Sequence, residues 1–218
     1  MNRIFALFAL VIPALLSACA PVQQSQATSQ RLVALGDLHG DLDAARQALR
    51  LAGAIDTLDR WVGGSLVVVQ TGDQLDRGDQ EFELLDFLDK VAAEAEKAGG
   101  KMHLLNGNHE IMNVQGDFRY VSPAGFQSFE KLNLPEPPAA RAILSKVPTF
   151  AKQRAIAFLP GGPYALRLAA RKSVLVLGDT LFVHGGGCTR SMWTMASTNS
   201  TAITKTGSKA QRQTCPNS

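Results

Sequence analysis

The chain has 218 residues, 45% apolar and 19% charged, with 19 glycines and 10 prolines. That composition fits one soluble globular domain, or two small ones, and excludes a disordered chain, a collagen-like repeat and a disulfide-stapled miniprotein. The formal charge of +3 comes from residues 187–218, which hold Arg190, Lys205, Lys209 and Arg212 and no acid. The remainder carries 18 basic and 19 acidic side chains, so no nucleic-acid face is implied.

Residues 1–18 read as an export signal. Asn2-Arg3 is a short positive stretch, residues 4–16 are an apolar core too short to span a bilayer, and Leu16-Ser17-Ala18-Cys19 follows. The tetrad resembles a bacterial lipobox, in which cleavage before the cysteine leaves an acylated Cys19 as the new N-terminus. An ordinary secretory signal cut near Ala18 or Ala20 is the alternative, and either would export the body. Residues 19–30, rich in Gln and Ser, then act as a tether to the membrane. The expected location is that of an anchored lipoprotein facing the periplasm or the cell exterior, or a protein secreted to the periplasm. No structural disulfide is inferred from Cys188 and Cys215.

From residue 31 short apolar runs alternate with amphipathic stretches, the pattern of an α/β domain. Residues 31–35 are a strand ending in Gly36-Asp37-Leu38-His39-Gly40. Asp41 caps a helix whose Leu42, Ala45 and Leu49 share a face and which Gly53 stops. Residues 66–70 (LVVVQ) are a central strand running into Gly72-Asp73-Gln74-Leu75-Asp76-Arg77-Gly78-Asp79. A helix over 80–98 turns Phe82, Leu85, Leu88 and Ala92 inward. The strand 101–105 runs into Asn106-Gly107-Asn108-His109-Glu110. Residues 112–160, with six prolines, read as a covering insertion of loops and short helices. Strands at 173–177 and 180–183 flank the hairpin dipeptide Gly178-Asp179, and the second ends in His184-Gly185-Gly186.

Four strand ends therefore deliver acids, amides or imidazoles. Singly each has a structural explanation: Gly-Asp is a common turn, and the Gly36–Gly40 string could close a Rossmann-type turn. His103, inside an apolar strand, reads as structural. Jointly they point to metal. Asp37 and His39, two apart at an extended strand end, point the same way and can hold one ion, Asp73 can bridge two, and Asn108 and His184 can serve the second. Mixed carboxylate, amide and imidazole donors suit Mn, Fe or Zn.

These motifs together resemble the signature of the calcineurin-like metallophosphoesterases. The Asp-Arg-Gly ending of the second motif and Glu110 after Asn108-His109 resemble the PPP-type phosphatases. The string 108–113 (NHEIMN) followed by Gly116-Asp117-Phe118-Arg119-Tyr120 is most similar to their bacterial Shewanella-like branch. The resemblance runs from about residue 31 to 186 and implies an α/β (α+β) fold, a β-sandwich flanked by helices with metals at the strand C-termini. It also implies two divalent ions, with Asp37 and His39 on the first, Asp73 bridging, and Asn108 and His184 on the second. By the same resemblance Arg77 holds the phosphate, His109 oriented by Asp76 protonates the leaving oxygen, and a hydroxide activated by the two metals attacks. Arg119 and Arg167 are further phosphate candidates, with a plain surface role as the alternative.

The resemblance breaks after residue 187. The family uses a further histidine in its C-terminal half, whereas no histidine follows His184 here, and residues 188–218 lack periodicity. The tail is expected to be disordered. It also reads as out of frame: the codons of Met192-Trp193-Thr194-Met195-Ala196, read one nucleotide earlier, spell x-Val-Asp-x-Gly, so the phosphoesterase domain (31–187) is partial and its sandwich incomplete at the C-terminus. The leading expectation is metal-dependent hydrolysis of phosphomonoesters, on phosphoprotein or a small phosphoester. A truncated, inactive lipoprotein that only binds, and a dinucleoside polyphosphate or phosphodiester hydrolase, are the alternatives.

Overall fold

The computed structural model describes residues 30–185; the export segment, Cys19, nearly all of the tether and the 188–218 tail lie outside the described residues. Three parallel strands, β1 (Leu32–Leu35), β2 (Val67–Gln70) and β3 (Lys101–Leu104), lie in that order in one sheet, with Leu32 beside Val67 and Val67 beside Lys101. Parallel neighbours require crossovers, and α1 (Leu42–Leu51) and α2 (Glu81–Lys97) supply them. Asp41 caps α1, its carboxylate accepting the Ala44 N–H at 2.8 Å, and Leu42, Ala45 and Leu49 form the buried face. All four residues of β2 are buried, as befits the central strand.

The period-2 alternation of the strands divides the sheet. Val68 and Met102, with Val33, Leu35 and Leu104 beside them, pack under α1 and α2. Val67 and Val69 point the other way. The α2 helix is buried over a wider arc than its expected stripe. Leu84, Leu88, Val91 and Ala95 face the sheet, while Leu85 enters a second cluster with Leu75, Phe129, Phe158 and Tyr164. Phe82 and Ala92 are only half-buried. The difference has a physical source: the covering segment gives α2 a second apolar neighbour, so a single-face reading is too narrow.

That segment comprises α3 (Asn108–Val114), α4 (Pro123–Glu130), α5 (Arg141–Leu144), α6 (Lys152–Phe158) and α7 (Pro163–Ala169), with two 3-10 turns between them. Burial in this layer pushes the Tyr164 hydroxyl up to about 12.

The chain then returns as an antiparallel hairpin, β4 (Val174–Leu177) and β5 (Thr180–Val183), turning at Gly178-Asp179. A parallel bridge between Leu105 and Lys172 ties its start to the end of β3. Leu175, Leu177 and Phe182 pack on Val67, Val69 and Leu105, forming a second β layer over part of the sheet. Among the described residues that layer has two strands, and Leu32, Val176 and Leu181 remain exposed at 39%, 46% and 46%. His103 lies half-buried beside this layer; burial, then the charges of Lys101 and Lys172, hold its pKa below the ordinary value. No helix among the described residues is long and apolar enough to cross a membrane.

Candidate metal centre

The loops after β1, β2 and β3 are laced to one another by main-chain bonds. Leu38 and His39 both donate to the Asp73 carbonyl at 2.9 Å, and Gly40 donates to the Gln74 carbonyl at 2.8 Å. Glu110, fully buried, completes the lacing. Its carboxylate accepts the N–H groups of Asp73 (2.8 Å), Gln74 (2.9 Å), Leu75 (3.1 Å) and Gly107 (2.6 Å). Charge-assisted bonds of this kind are about twice as strong as neutral ones, so one side chain sets the height of two loops. Gly107 must be glycine, because a Cβ there would collide with the Asp73 side chain and backbone.

The turns are tight enough to force left-handed backbone on ordinary residues. His39, Asp73, Asp76 and Arg77 have φ of 42°, 56°, 68° and 69°. This corrects one expectation: Asp37 and His39 converge through a turn, not through the alternation of an extended strand end. Their side chains still meet, with His39 Nε2 at 3.5 Å from Asp37 Oδ2.

The Asp73 carboxylate is the hub. Its Oδ2 lies 3.7 Å from Nε2 of His39, 3.7 Å from Nε2 of His109 and 3.1 Å from Nε2 of His184. Its Oδ1 accepts the His109 N–H at 3.1 Å. His184 also reaches Asp37 (Nδ1 to Oδ1, 3.7 Å) and Asn108 (Nε2 to Oδ1, 3.1 Å). Among the described residues two groups can each surround an ion, His39-Asp73-His109 and Asp37-Asp73-His184, with Asp73 common to both. The structure thus brings Asp37, His39, Asp73, Asn108 and His184 together, and it sets Asp37 against His184 as well as His39.

The donors fit a divalent cation on an observation independent of the motifs. His39 directs Nδ1 at the Leu75 carbonyl, 2.9 Å away, which makes Nδ1 the protonated nitrogen and leaves a lone pair on Nε2. That Nε2 is buried and has no hydrogen-bond partner. An imidazole held by its far nitrogen, with its near nitrogen aimed among carboxylates, is the arrangement of a metal ligand.

Beside the hub stands a dyad. His109, 2% exposed, bonds through Nδ1 to Asp76 Oδ2 at 2.6 Å, and its ring packs edge-on to His39 with centroids 4.8 Å apart. Arg77 is exposed, with Nη2 3.3 Å from His109 Nε2 and its N–H on the Tyr120 carbonyl at 2.8 Å. The half-exposed Tyr120 ring lies 5.2 Å from the His109 ring. The two further arginines are elsewhere. Arg119 pairs with Asp117 on the surface, and Arg167 of α7 grips Asp86, Asp89 and the Leu85 carbonyl of α2.

A profile of the family "Calcineurin-like phosphoesterase" matches residues 30–208. The chain belongs to the calcineurin-like phosphoesterases. Within that family it is 45% identical over 181 residues to "Shewanella-like protein phosphatase 2" of Arabidopsis thaliana, covering 72% of this chain and 46% of that protein. "Shewanella-like protein phosphatase 1" of Plasmodium berghei is 31% identical over 157 residues, covering 72% of this chain and 39% of that one. A crystal structure titled as the cold-active protein-tyrosine phosphatase of a psychrophilic Shewanella superposes with a TM-score of 0.58 at 30% identity, covering 77% of this chain and 46% of that one. The expected PPP-type, Shewanella-like branch and the α/β metallophosphoesterase fold are therefore shown. The chain spans under half the length of these relatives.

Two members of the polar cluster escaped the sequence reading. Glu110 was visible in its motif, but nothing local shows that it clasps four amides. Arg154, an arginine in the run Arg154-Ala155-Ile156-Ala157-Phe158, is fully buried, and its only signal is a charge among apolar neighbours.

Proposed function

We propose that the chain hydrolyses phosphomonoesters at this centre, using two divalent ions drawn from Mn, Fe and Zn. The observation that carries the reading is the Asp73 carboxylate set among three imidazole Nε2 atoms, one of them buried without a partner. Asp37, His39, Asp73, Asn108 and His184 would hold the ions. When bound, such a pair polarises the phosphoryl group and supplies a water-derived nucleophile at neutral pH.

The chain's own residues do the rest. Arg77 is exposed beside the dyad, and its fork of donors fits two phosphoryl oxygens as lysine could not. Asp76 fixes the tautomer and plane of His109, whose Nε2 then hands a proton to the departing oxygen. The half-exposed Tyr120 ring lies beside His109. The names of the relatives favour phosphoprotein over a small phosphoester. We also propose that the body is exported and acylated at Cys19, and that the codons beyond residue 187 are out of frame; loss of fatty-acid labelling in Cys19→Ala and resequencing of that stretch are the tests.

Purified protein should release phosphate from phosphopeptides and 4-nitrophenyl phosphate with added Mn, lose this with a chelator, and lose it in Asp73→Asn. A second reading, a chain that binds phosphorylated ligands without turnover, draws on the exposed Leu32 and a second layer with two strands among the described residues. Ligand binding without phosphate release at full metal content would decide for it.

A further inference from the structure

Arg154 is the largest fully buried side chain of the described residues. It enters from α6 beneath the dyad, and all five of its N–H donors have acceptors. Nε donates to Asn113 Oδ1 at 2.9 Å. Nη1 donates to Glu81 and to the Gly125 carbonyl (3.2 Å), and Nη2 to Asp76 Oδ1 and Glu81 Oε1, both at 3.2 Å. Four aromatic rings box the guanidinium: Phe129 and Phe158 with centroids 5.0 Å away, and Phe118 and Phe126 at 5.9 Å. A cation this deep exacts a desolvation penalty that an apolar side chain of the same size would avoid.

What the arginine holds gives it a use. Asp76 divides its two oxygens: Oδ2 faces His109 at 2.6 Å, while Oδ1 accepts from Arg154 and, at 2.9 Å, from Asn113 Nδ2. Asn113 accepts from Arg154 through Oδ1 and donates through Nδ2 to the His109 carbonyl as well, so the guanidinium engages both Asp76 and the amide beside it. Glu81, also fully buried, accepts the Asp76 N–H. Two acids thus share one dry pocket. Burial pushes the Glu81 carboxyl above its ordinary value, and Arg154 offsets only part of that rise. Without the guanidinium Asp76 Oδ1 keeps only the Asn113 amide on its far side, and the neighbouring buried acid loses its counter-charge.

We propose that Arg154 is a positioning residue for phosphoryl transfer. It clamps Asp76 from behind, and through Asp76 it aims the proton-donating nitrogen of His109 at the leaving group. The inference rests on the reading of His109 as proton donor to the departing oxygen. A purely structural arginine would lower stability and leave the response to the leaving group unchanged.

The test uses the full chain at one pH, with Arg154→Met and with the double variant Arg154→Met, Glu81→Gln, which removes one buried charge and keeps the acceptor for the Asp76 N–H. With Mn present, wild type and variants are compared on 2,4-dinitrophenyl phosphate, whose leaving group needs no proton, and on phenyl phosphate, whose leaving group does. The expected result is a loss of about a hundredfold on phenyl phosphate and little change on the dinitrophenyl ester. An equal loss on both, or none, overturns the proposal.

A second readout needs no turnover. In the metal-free protein the His109 Nδ1 proton, identified by its absence in His109→Gln, should give a downfield NMR signal that disappears in a variant that still melts cooperatively. Its persistence unchanged in the double variant overturns the proposal. If wild type with metal bound releases phosphate from neither ester, the phosphatase reading falls by itself, and the NMR signal still decides whether Arg154 holds the dyad.

Discussion

Glu110 and Asp73 are 37 residues apart, yet the Glu110 carboxylate accepts the Asp73 N–H at 2.8 Å and closes over three further amides. The acid at the hub of the centre is therefore placed, through its main chain, by a second acid outside the proposed ligand set.

Glu110→Gln should be costly out of proportion to its size. A carboxamide retains one acceptor oxygen and presents an NH2 group to amide donors, leaving one or more buried N–H groups unpaired at about 1 to 3 kcal/mol each. The urea midpoint should fall with the slope unchanged, and Mn affinity should fall with it.

Asp73→Asn should remove the metal response itself. In wild type, Mn in excess of its dissociation constant should raise the melting temperature, because only the folded chain would present the full ligand set. The asparagine variant should melt at one temperature with or without Mn, and elemental analysis after dialysis should find it depleted.

Gly107→Ala tests the close approach of two loops. Its methyl group would meet the Asp73 side chain and backbone, so the loops must separate. Overpacking of this kind typically costs about 1 to 3 kcal/mol. Denaturant melts should show that loss together with weakened Mn binding, whereas Gly64→Ala, with nothing within 4 Å of the added atom, should retain Mn binding.

Arg167 separates structure from catalysis. It ties α7 to α2 through Asp86 and Asp89, whose side chains are 54% and 41% exposed, so solvent screens both pairs. Arg167→Ala should lower stability by about 1 kcal/mol or less. KM and kcat for 4-nitrophenyl phosphate should be unchanged, whereas Arg77→Lys should raise KM.

His103 sets a pH dependence of stability. Its pKa in the folded chain lies below the ordinary value of 6.5, through burial first and then Lys101 and Lys172. The unfolded chain therefore takes up the proton first. Stability from this group is complete above about pH 7 and declines as pH falls below the unfolded value. Urea midpoints of wild type and His103→Asn should keep a constant offset above pH 7, and wild type should lose ground to the variant towards pH 5.5.

What was legible in the sequence was what strand ends carry. Asp37, Asp73 and Asn108 each follow a strand of the parallel sheet, which has to deliver its C-terminal loop to the same edge as its neighbours, and His184 ends the separate antiparallel hairpin that packs against it. The caps and faces of α1 were equally local, because Asp41, Leu42, Ala45 and Leu49 act within two turns. The path from Asp37 to His39 was misread because left-handed φ at a histidine follows from the main-chain bonds to Asp73, which no window of sequence contains. Arg154 was invisible for the same reason: its acceptors lie 41, 73 and 78 residues away. The wide burial of α2 depends on a covering layer that periodicity within α2 cannot report.

The left-handed residues around the centre have a consequence for the history of such a chain. L-residues pay roughly 1 to 2 kcal/mol each to hold that backbone, a toll that glycine escapes. At exposed Arg77, and at His39 whose Nε2 has no hydrogen-bond partner, the favoured replacement under selection for heat resistance alone is thus glycine, the residue that would erase the chemistry, whereas Asp76 is retained because its loss would strand the buried Arg154. A library evolved only to survive boiling should drift at His39 and Arg77 first, and a library that must also retain Mn should keep His39 and find its gains on the far surfaces of α1 and α7.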